Sequence, residues 1–232
     1  MGTPSERPFF ASVVDFLIFV CHNAYMSNPK IKRVVVFGLG AAGSNFLLNI
    51  AHVHPEISLA GVDFDVVEQR NYTAGTQPYT KIDLNRPKVQ ALNRIILAAT
   101  NKKVEGHAVK VTRTAQICQI AFGEMLPEES NNVLMVDAFD NAESRNLFLD
   151  IKGRHILHIG FSPTLNGEAC WAESYSRMSP DTEGEFDVCQ AHTARPFIQA
   201  LTAIATLIAT EFIDTGKKRS VYFDSKLKTF TF

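Results

Sequence analysis

The sequence has only four cysteines in 232 residues, Cys21, Cys118, Cys170 and Cys189, and none of them forms a Cys-x-x-Cys pair. That scatter excludes a disulfide framework and a zinc knuckle, and it fits reduced thiols in a cytoplasm. Charge of one sign is also lacking: 23 Lys and Arg stand against 24 Asp and Glu, a formal net charge of -1. Without a basic excess or a basic-aromatic signature, no nucleic-acid partner is expected. No apolar run makes a good bilayer span. Residues 9–21 are too few and carry Asp15, and residues 197–213 are interrupted by Gln199, Thr202, Thr206, Thr210 and Glu211. No membrane partner is therefore expected; the first run reads as a leading helix and the second as a buried one. A Ser-centred nucleophile elbow, a Walker-type lysine motif and internal repeats are absent as well.

What is present is the composition of an ordinary globular chain, with 46% hydrophobic and 20% charged residues. The length suits one α/β domain, read here as residues 31–232 behind a helical segment at 1–30. Short β-branched runs at 31–37, 57–64, 104–111, 132–138 and 155–161 alternate with helical patterns at 41–51, 87–99, 114–126 and 142–151, where Pro87 is placed at the first helical position. This alternation predicts a Rossmann-like, mainly parallel sheet with helices on both faces and ligands at the carboxyl ends of its strands. After Phe161 the crossover helices stop. Residues 167–175 and 221–232 read as antiparallel strands, with a loop at 176–187 between them.

Gly38-Leu39-Gly40-Ala41-Ala42-Gly43 follows the first strand and opens the first helix. Glycines there let backbone amides approach phosphate oxygens at a helix N-terminus. The second strand is read as ending in Asp63-Phe64-Asp65, where Asp63 stands close to the acidic position that holds ribose hydroxyls. The other reading of Asp63 is a solvated carboxylate at a strand end.

With Val67-Glu68, Asn71, Lys88 and Asp137-Ala138-Phe139-Asp140-Asn141 in the same order, followed by Arg145-Asn146 and 221–224, the chain resembles the ThiF/MoeB-type, ubiquitin-activating-enzyme-like adenylyltransferase family from about Lys32 onward. The resemblance implies ATP and Mg2+ as cofactors and adenylation of a carboxylate, with the C-terminal glycine of a ubiquitin-like or sulfur-carrier protein as its source. It further implies a homodimer. Gly38, Gly40, Gly43, Asp63, Asp65 and Asn71 would bind nucleotide, Lys88 would contact the phosphates, and Asp140 would hold Mg2+. The chemistry needs such a set, because attack on an α-phosphorus requires cations and a metal to offset phosphate charge. The bland alternatives are a surface lysine for Lys88, a helix N-cap for Asp140 and a turn residue for Asn71.

The chain also departs from the pattern. The family's arginine three positions after the matched asparagine is Ala74 here, with Arg70 and Arg86 as displaced candidates. The N-terminal arginine that relatives lend to the partner subunit's site has only Arg7 to stand for it, and the zinc Cys-x-x-Cys pairs are missing. Cys189 lies where several relatives place a cysteine that takes the activated acyl group; His192 and Arg195 are candidates for lowering its pKa, against the reading of a buried, inert thiol. Cys170, inside an apolar strand, reads as inert, and His52 and His54 at a helix end receive no role. Two other functions share the same glycine turn: an NAD-dependent oxidoreductase, for which Lys88 and Asp140 have no use, and a catalytically inactive binding subunit, which Ala74 favours.

Overall fold

The computed structural model describes residues 31–125, 129–162, 164–175, 194–224 and 229–231. The leading helix expected at 9–21, the loop at 176–187, Arg7, Cys21, Cys189 and His192 lie outside them. Among the described residues eight strands form one sheet in the order β3-β2-β1-β4-β5-β6-β7-β8. β1 (Arg33–Phe37), β2 (Ser58–Val62), β3 (Glu105–His107), β4 (Val133–Asp137) and β5 (His155–Phe161) pair in parallel. β6 (Gly167–Trp171), β7 (Val221–Phe223) and β8 (Thr229–Thr231) continue the sheet antiparallel. The described helices are α1 (Ala41–Val53), α2 (Gln69–Thr73), α3 (Lys88–Thr100), α4 (Thr114–Phe122), α5 (Ala142–Asn146) and α6 (Ala194–Thr215).

The central strands are mostly apolar because both of their faces are covered, with Asp137 and His158 as buried polar exceptions. Val34, Val36, Leu134, Val136, Leu157 and Ile159 point into a core shared with α1, α3 and α6. Val35, Phe37, Val62, Met135 and Ile156 point the other way, to Ile117 and Ala121 of α4 and to Phe148. By length and composition alone α6 is able to cross a membrane. In this fold its apolar stripe, including Ile198, Leu201, Ala205, Ile208 and Phe212, is part of the first core.

The fold agrees with the mainly parallel reading, and several boundaries differ for local reasons. β2 stops at Val62, so Asp63, Phe64 and Asp65 follow the strand rather than end it. β3 has three residues instead of eight, because a backbone bond from the Val109 amide to the His107 carbonyl (3.0 Å) turns the chain away. α4 ends at Phe122, capped by Gly123 at φ 55, and does not reach residue 126. α5 ends at Asn146 and a 3-10 turn, Leu147–Asp150, completes the segment. Pro87 is the extended N-cap of α3 and not its first helical residue. The strand at 167–175 closes at Trp171 into a 3-10 turn, α6 runs beyond the expected 197–213 at both ends, and the C-terminal stretch is two strands instead of one.

β1 lies between β2 and β4, so successive crossovers leave it in opposite directions and open a crevice at the carboxyl ends of β1 and β4. Phe37 is in register with Asp137, so Gly38 and Ala138 leave the sheet side by side.

Candidate functional site

The glycine turn is built by close approach. Gly38 has φ +87, and a Cβ on it would lie 2.6 Å from the Ala138 carbonyl oxygen. A Cβ on Gly43 would lie 1.9 Å from the Gly38 carbonyl oxygen, so α1 is pressed against the turn that starts it. Gly40 is different: its φ is -72, and a Cβ there would meet nothing within 4 Å. No packing demand explains a glycine at Gly40, whereas a ligand approaching the backbone does. Gly40 is the N-cap of α1 with no side-chain cap, and the first turn holds no acidic residue. The positive end of a 13-residue helix therefore carries no acidic side chain of its own in the first turn. The residues present fit a phosphate group.

Asp63 ties this turn to the next strand. Its Oδ2 accepts the Leu39 amide at 2.7 Å and its Oδ1 accepts the Asp65 amide at 2.8 Å. Burial raises its pKa above the ordinary carboxylate value, while Lys88 and the two amides restrain the rise. Lys88 is buried at the start of α3, with its Nζ 2.8 Å from Asp65 and 3.8 Å from Asp63. A surface lysine is thereby ruled out. The carbonyl of Leu39 is held as well, by the Tyr79 hydroxyl at 2.8 Å. Burial pushes the pKa of that phenol well up, with Asp63 adding to the effect, so it remains a donor. No local pattern in the sequence marks Tyr79, because its contact spans 40 residues.

On the other side of the crevice Asn141, not Asp140, caps α5, its Oδ1 accepting the Ser144 amide at 2.8 Å. Asp140 is exposed and has no capping task. Among the described residues no three His, Cys, Asp or Glu side chains converge to hold a metal by themselves. A divalent ion beside Asp140 would need phosphate oxygens and water as its remaining ligands, the usual state of protein-bound Mg2+. The loop carrying Asp140 is anchored by Asp137, wholly buried, which accepts the Phe139 amide at 3.1 Å and lies 2.8 Å from His158 Nδ1. Arg145 Nε stands 3.5 Å from the same carboxylate and its Nη2 bonds Glu168 at 3.2 Å.

The glycine turn, Asp63, Asp65 and Lys88 are thus joined by direct contacts, and Asp140 follows two residues after Ala138, whose carbonyl lies against Gly38. Asn71 is buried, and its Oδ1 caps α2 by accepting the Glu68 amide at 2.7 Å. Arg70 is spent on Glu68 at 2.7 Å on the surface, and Arg86 is exposed. Cys170 is fully buried and its thiol pKa is pushed up to about 12, mainly by that burial.

A family profile described as the ThiF family matches residues 21–231. No curated protein matches the chain. Among solved structures, selenomethionine PaaA is 18% identical with a TM-score of 0.62, covering 88% of this chain and 64% of its own. Escherichia coli MccB with MccA-N7isoASN is 14% identical at TM-score 0.64, covering 93% and 66%. The same MccB with ATP is 15% identical at 0.63, covering 88% and 64%. At these identities the likeness is one of fold, and the chain spans 64–66% of the length of these proteins.

Proposed function

The chain belongs to the ThiF family, and from that premise we propose that it is an ATP- and Mg2+-dependent adenylyltransferase acting on a carboxylate. A carboxylate oxygen attacks the α-phosphorus of ATP, the bond from that phosphorus to the β-phosphate bridging oxygen breaks, and pyrophosphate leaves an acyl adenylate behind. The observation that carries this reading is Gly40, a glycine with no packing reason, open at the head of α1 and flanked through Leu39 by Asp63 and Lys88.

Each residue then has a task. The amides at the head of α1 orient phosphate oxygens, and Asp63, ionised, accepts from ribose hydroxyls. Lys88, held by Asp65 beforehand, donates to the phosphates, so the cation is in place before the nucleotide arrives. Asn71 keeps the α2 corner in shape and offers its amide to ribose or phosphate. Asp140 would hold Mg2+, which offsets charge on the pyrophosphate as it leaves. Structures of MccB solved with ATP and with MccA support a site that takes ATP and a second substrate. For this chain that substrate is the C-terminal glycine of a ubiquitin-like or sulfur-carrier protein. Transfer to Cys189, in which the thiolate attacks the acyl carbonyl and AMP leaves, is a later step. The working unit is a homodimer in a cytoplasm.

ATP–pyrophosphate exchange tests the reading, run with Mg2+ and candidate carrier proteins, with Asp140→Ala as control. Exchange abolished by Asp140→Ala is the expected result. A chain that binds ATP but gives no exchange beside a cognate carrier would be the inactive binding subunit, the reading Ala74 favours. Nicotinamide binding in preference to ATP would point to the oxidoreductase.

A further inference from the structure

The cations so far assigned to the crevice do not balance a polyphosphate. Lys88, its buried cation, already faces Asp65 at 2.8 Å and Asp63 at 3.8 Å. Asp140, two residues after the Ala138 carbonyl that lies against Gly38, adds a further carboxylate at the same end of the sheet. Even with one divalent ion, the local charge before ATP arrives is far from favouring a polyanion.

A second cation reaches this neighbourhood from α6. Asn45 Nδ2 donates to the Ala41 carbonyl and to the Thr76 carbonyl, both at 2.7 Å. The segment after α2 is thereby held against the first turns of α1, beside the phosphate cradle. Gly75 in that segment has φ +67, and a Cβ built on it would lie 3.3 Å from Arg195 Nη1 and 3.6 Å from Arg195 Cδ. The Arg195 side chain therefore lies across Gly75, in space that any larger residue would contest. Arg195 is exposed, and no carboxylate among the described residues pairs with it. It sits in the first turn of α6, a turn with no acidic residue, where the macrodipole disfavours a cation. A guanidinium with no carboxylate partner among the described residues, in a place unfavourable to it and beside a site short of positive charge, has the chemistry of an anion contact. The residue next to Gly75 is Ala74, the position where the family resemblance leads one to expect an arginine.

We propose that Arg195 binds the polyphosphate of ATP, supplying from α6 the charge that Ala74 lacks. The proposal rests on the nucleotide reading above and adds a residue to it. The test is equilibrium binding of ATP and of adenosine to the full chain and to Arg195→Ala, Arg195→Lys and Arg195→Ala/Ala74→Arg, with melting curves to confirm folding. Loss of a charge-assisted contact lowers ATP affinity by about 10-fold or more. Adenosine binding stays as in the parent, Arg195→Lys retains part of the ATP affinity, and the added arginine at position 74 restores part of the loss. Arg195→Ala that binds ATP like the parent overturns the proposal, as does an equal loss for adenosine. A parent chain that binds neither ligand removes the nucleotide reading itself, an outcome distinct from the other two.

Discussion

Asp63 spends both carboxylate oxygens on backbone amides, Leu39 at 2.7 Å and Asp65 at 2.8 Å, so the residue expected to read the ribose is also a strut of the glycine turn. Asparagine presents one acceptor where the carboxylate presents two, and its NH2 would confront an N–H. Asp63→Asn should cost about 1–3 kcal/mol, as a buried donor left unpaired does. Tyr79→Phe removes one neutral donor from the Leu39 carbonyl and should cost about 1 kcal/mol. Urea denaturation measures both. A Tyr79→Phe loss larger than that of Asp63→Asn would show that the turn hangs on the phenol instead.

The raised pKa of Asp63 gives two pH dependences of opposite sign. Burial is the main cause, and Lys88 opposes it. Between the unfolded and folded pKa values the native chain holds a proton that the unfolded chain has lost. The stability contribution of this group is thus full at low pH and declines as pH rises through the folded pKa. Ribose binding needs the ionised form, so adenosine affinity falls as pH drops through that same pKa. Lys88→Met removes the opposing charge and should move the midpoint of adenosine binding upward. Titrations of both chains decide it; an unmoved or lower midpoint would falsify the assignment.

The parts of this architecture that were readable along the chain are those set by local pattern. The apolar run of β1, the glycines after it and the helix of α1 announce themselves in one stretch, residues 33–53, and the matching run of β4 precedes Asp140 in the same way. Boundaries that depend on a single backbone bond, such as the turn at Val109 that cuts β3 short, leave no periodic trace. The contacts that complete the site were hidden for a related reason. Tyr79 reaches Leu39, Arg195 reaches Gly75 from 120 positions further along the chain, and the packing of α6 on α1 brings the second pair together. Asp140 and Asn141 show the limit of local reasoning in one place: either suits an N-cap, and the fold gives that task to Asn141.

The three glycines of the turn should separate into two classes. Gly43→Ala places a methyl 1.9 Å from the Gly38 carbonyl oxygen, and Gly38→Ala combines φ +87 with a 2.6 Å approach to Ala138. Each should cost about 3 kcal/mol or more and lower yield of folded protein. Gly40→Ala meets no protein atom at a φ of -72, so its stability should stay within about 1 kcal/mol of the parent. Its methyl instead fills the cradle, and ATP affinity should fall by about 10-fold or more, as loss of a few charge-assisted contacts would produce. Thermal melts beside ATP titrations check the split. Unchanged ATP affinity in folded Gly40→Ala would mean that no phosphate rests there.

The buried cluster behind Asp140 should behave as a unit. Asp137 is wholly buried between His158 Nδ1 at 2.8 Å and Arg145 Nε at 3.5 Å. Burial opposes the charge on Arg145, but Asp137, Tyr175 and Glu168 outweigh it and the pKa rises. Asp137→Ala strands that guanidinium with Glu168 alone, at 3.2 Å, and should cost about 3–5 kcal/mol, the usual penalty for breaking a buried pair. Arg145→Leu leaves the carboxylate its His158 contact and the Phe139 amide, so its cost should be the smaller of the two. Because each single change takes one partner from the other buried charge, the double variant should lose less than the two separate losses combined, by about 1 kcal/mol or more. A urea double-mutant cycle reads that coupling directly. Strict additivity would mean that Asp137 and Arg145 stabilise the fold independently, and that His158 and the Phe139 amide alone hold the carboxylate behind Asp140.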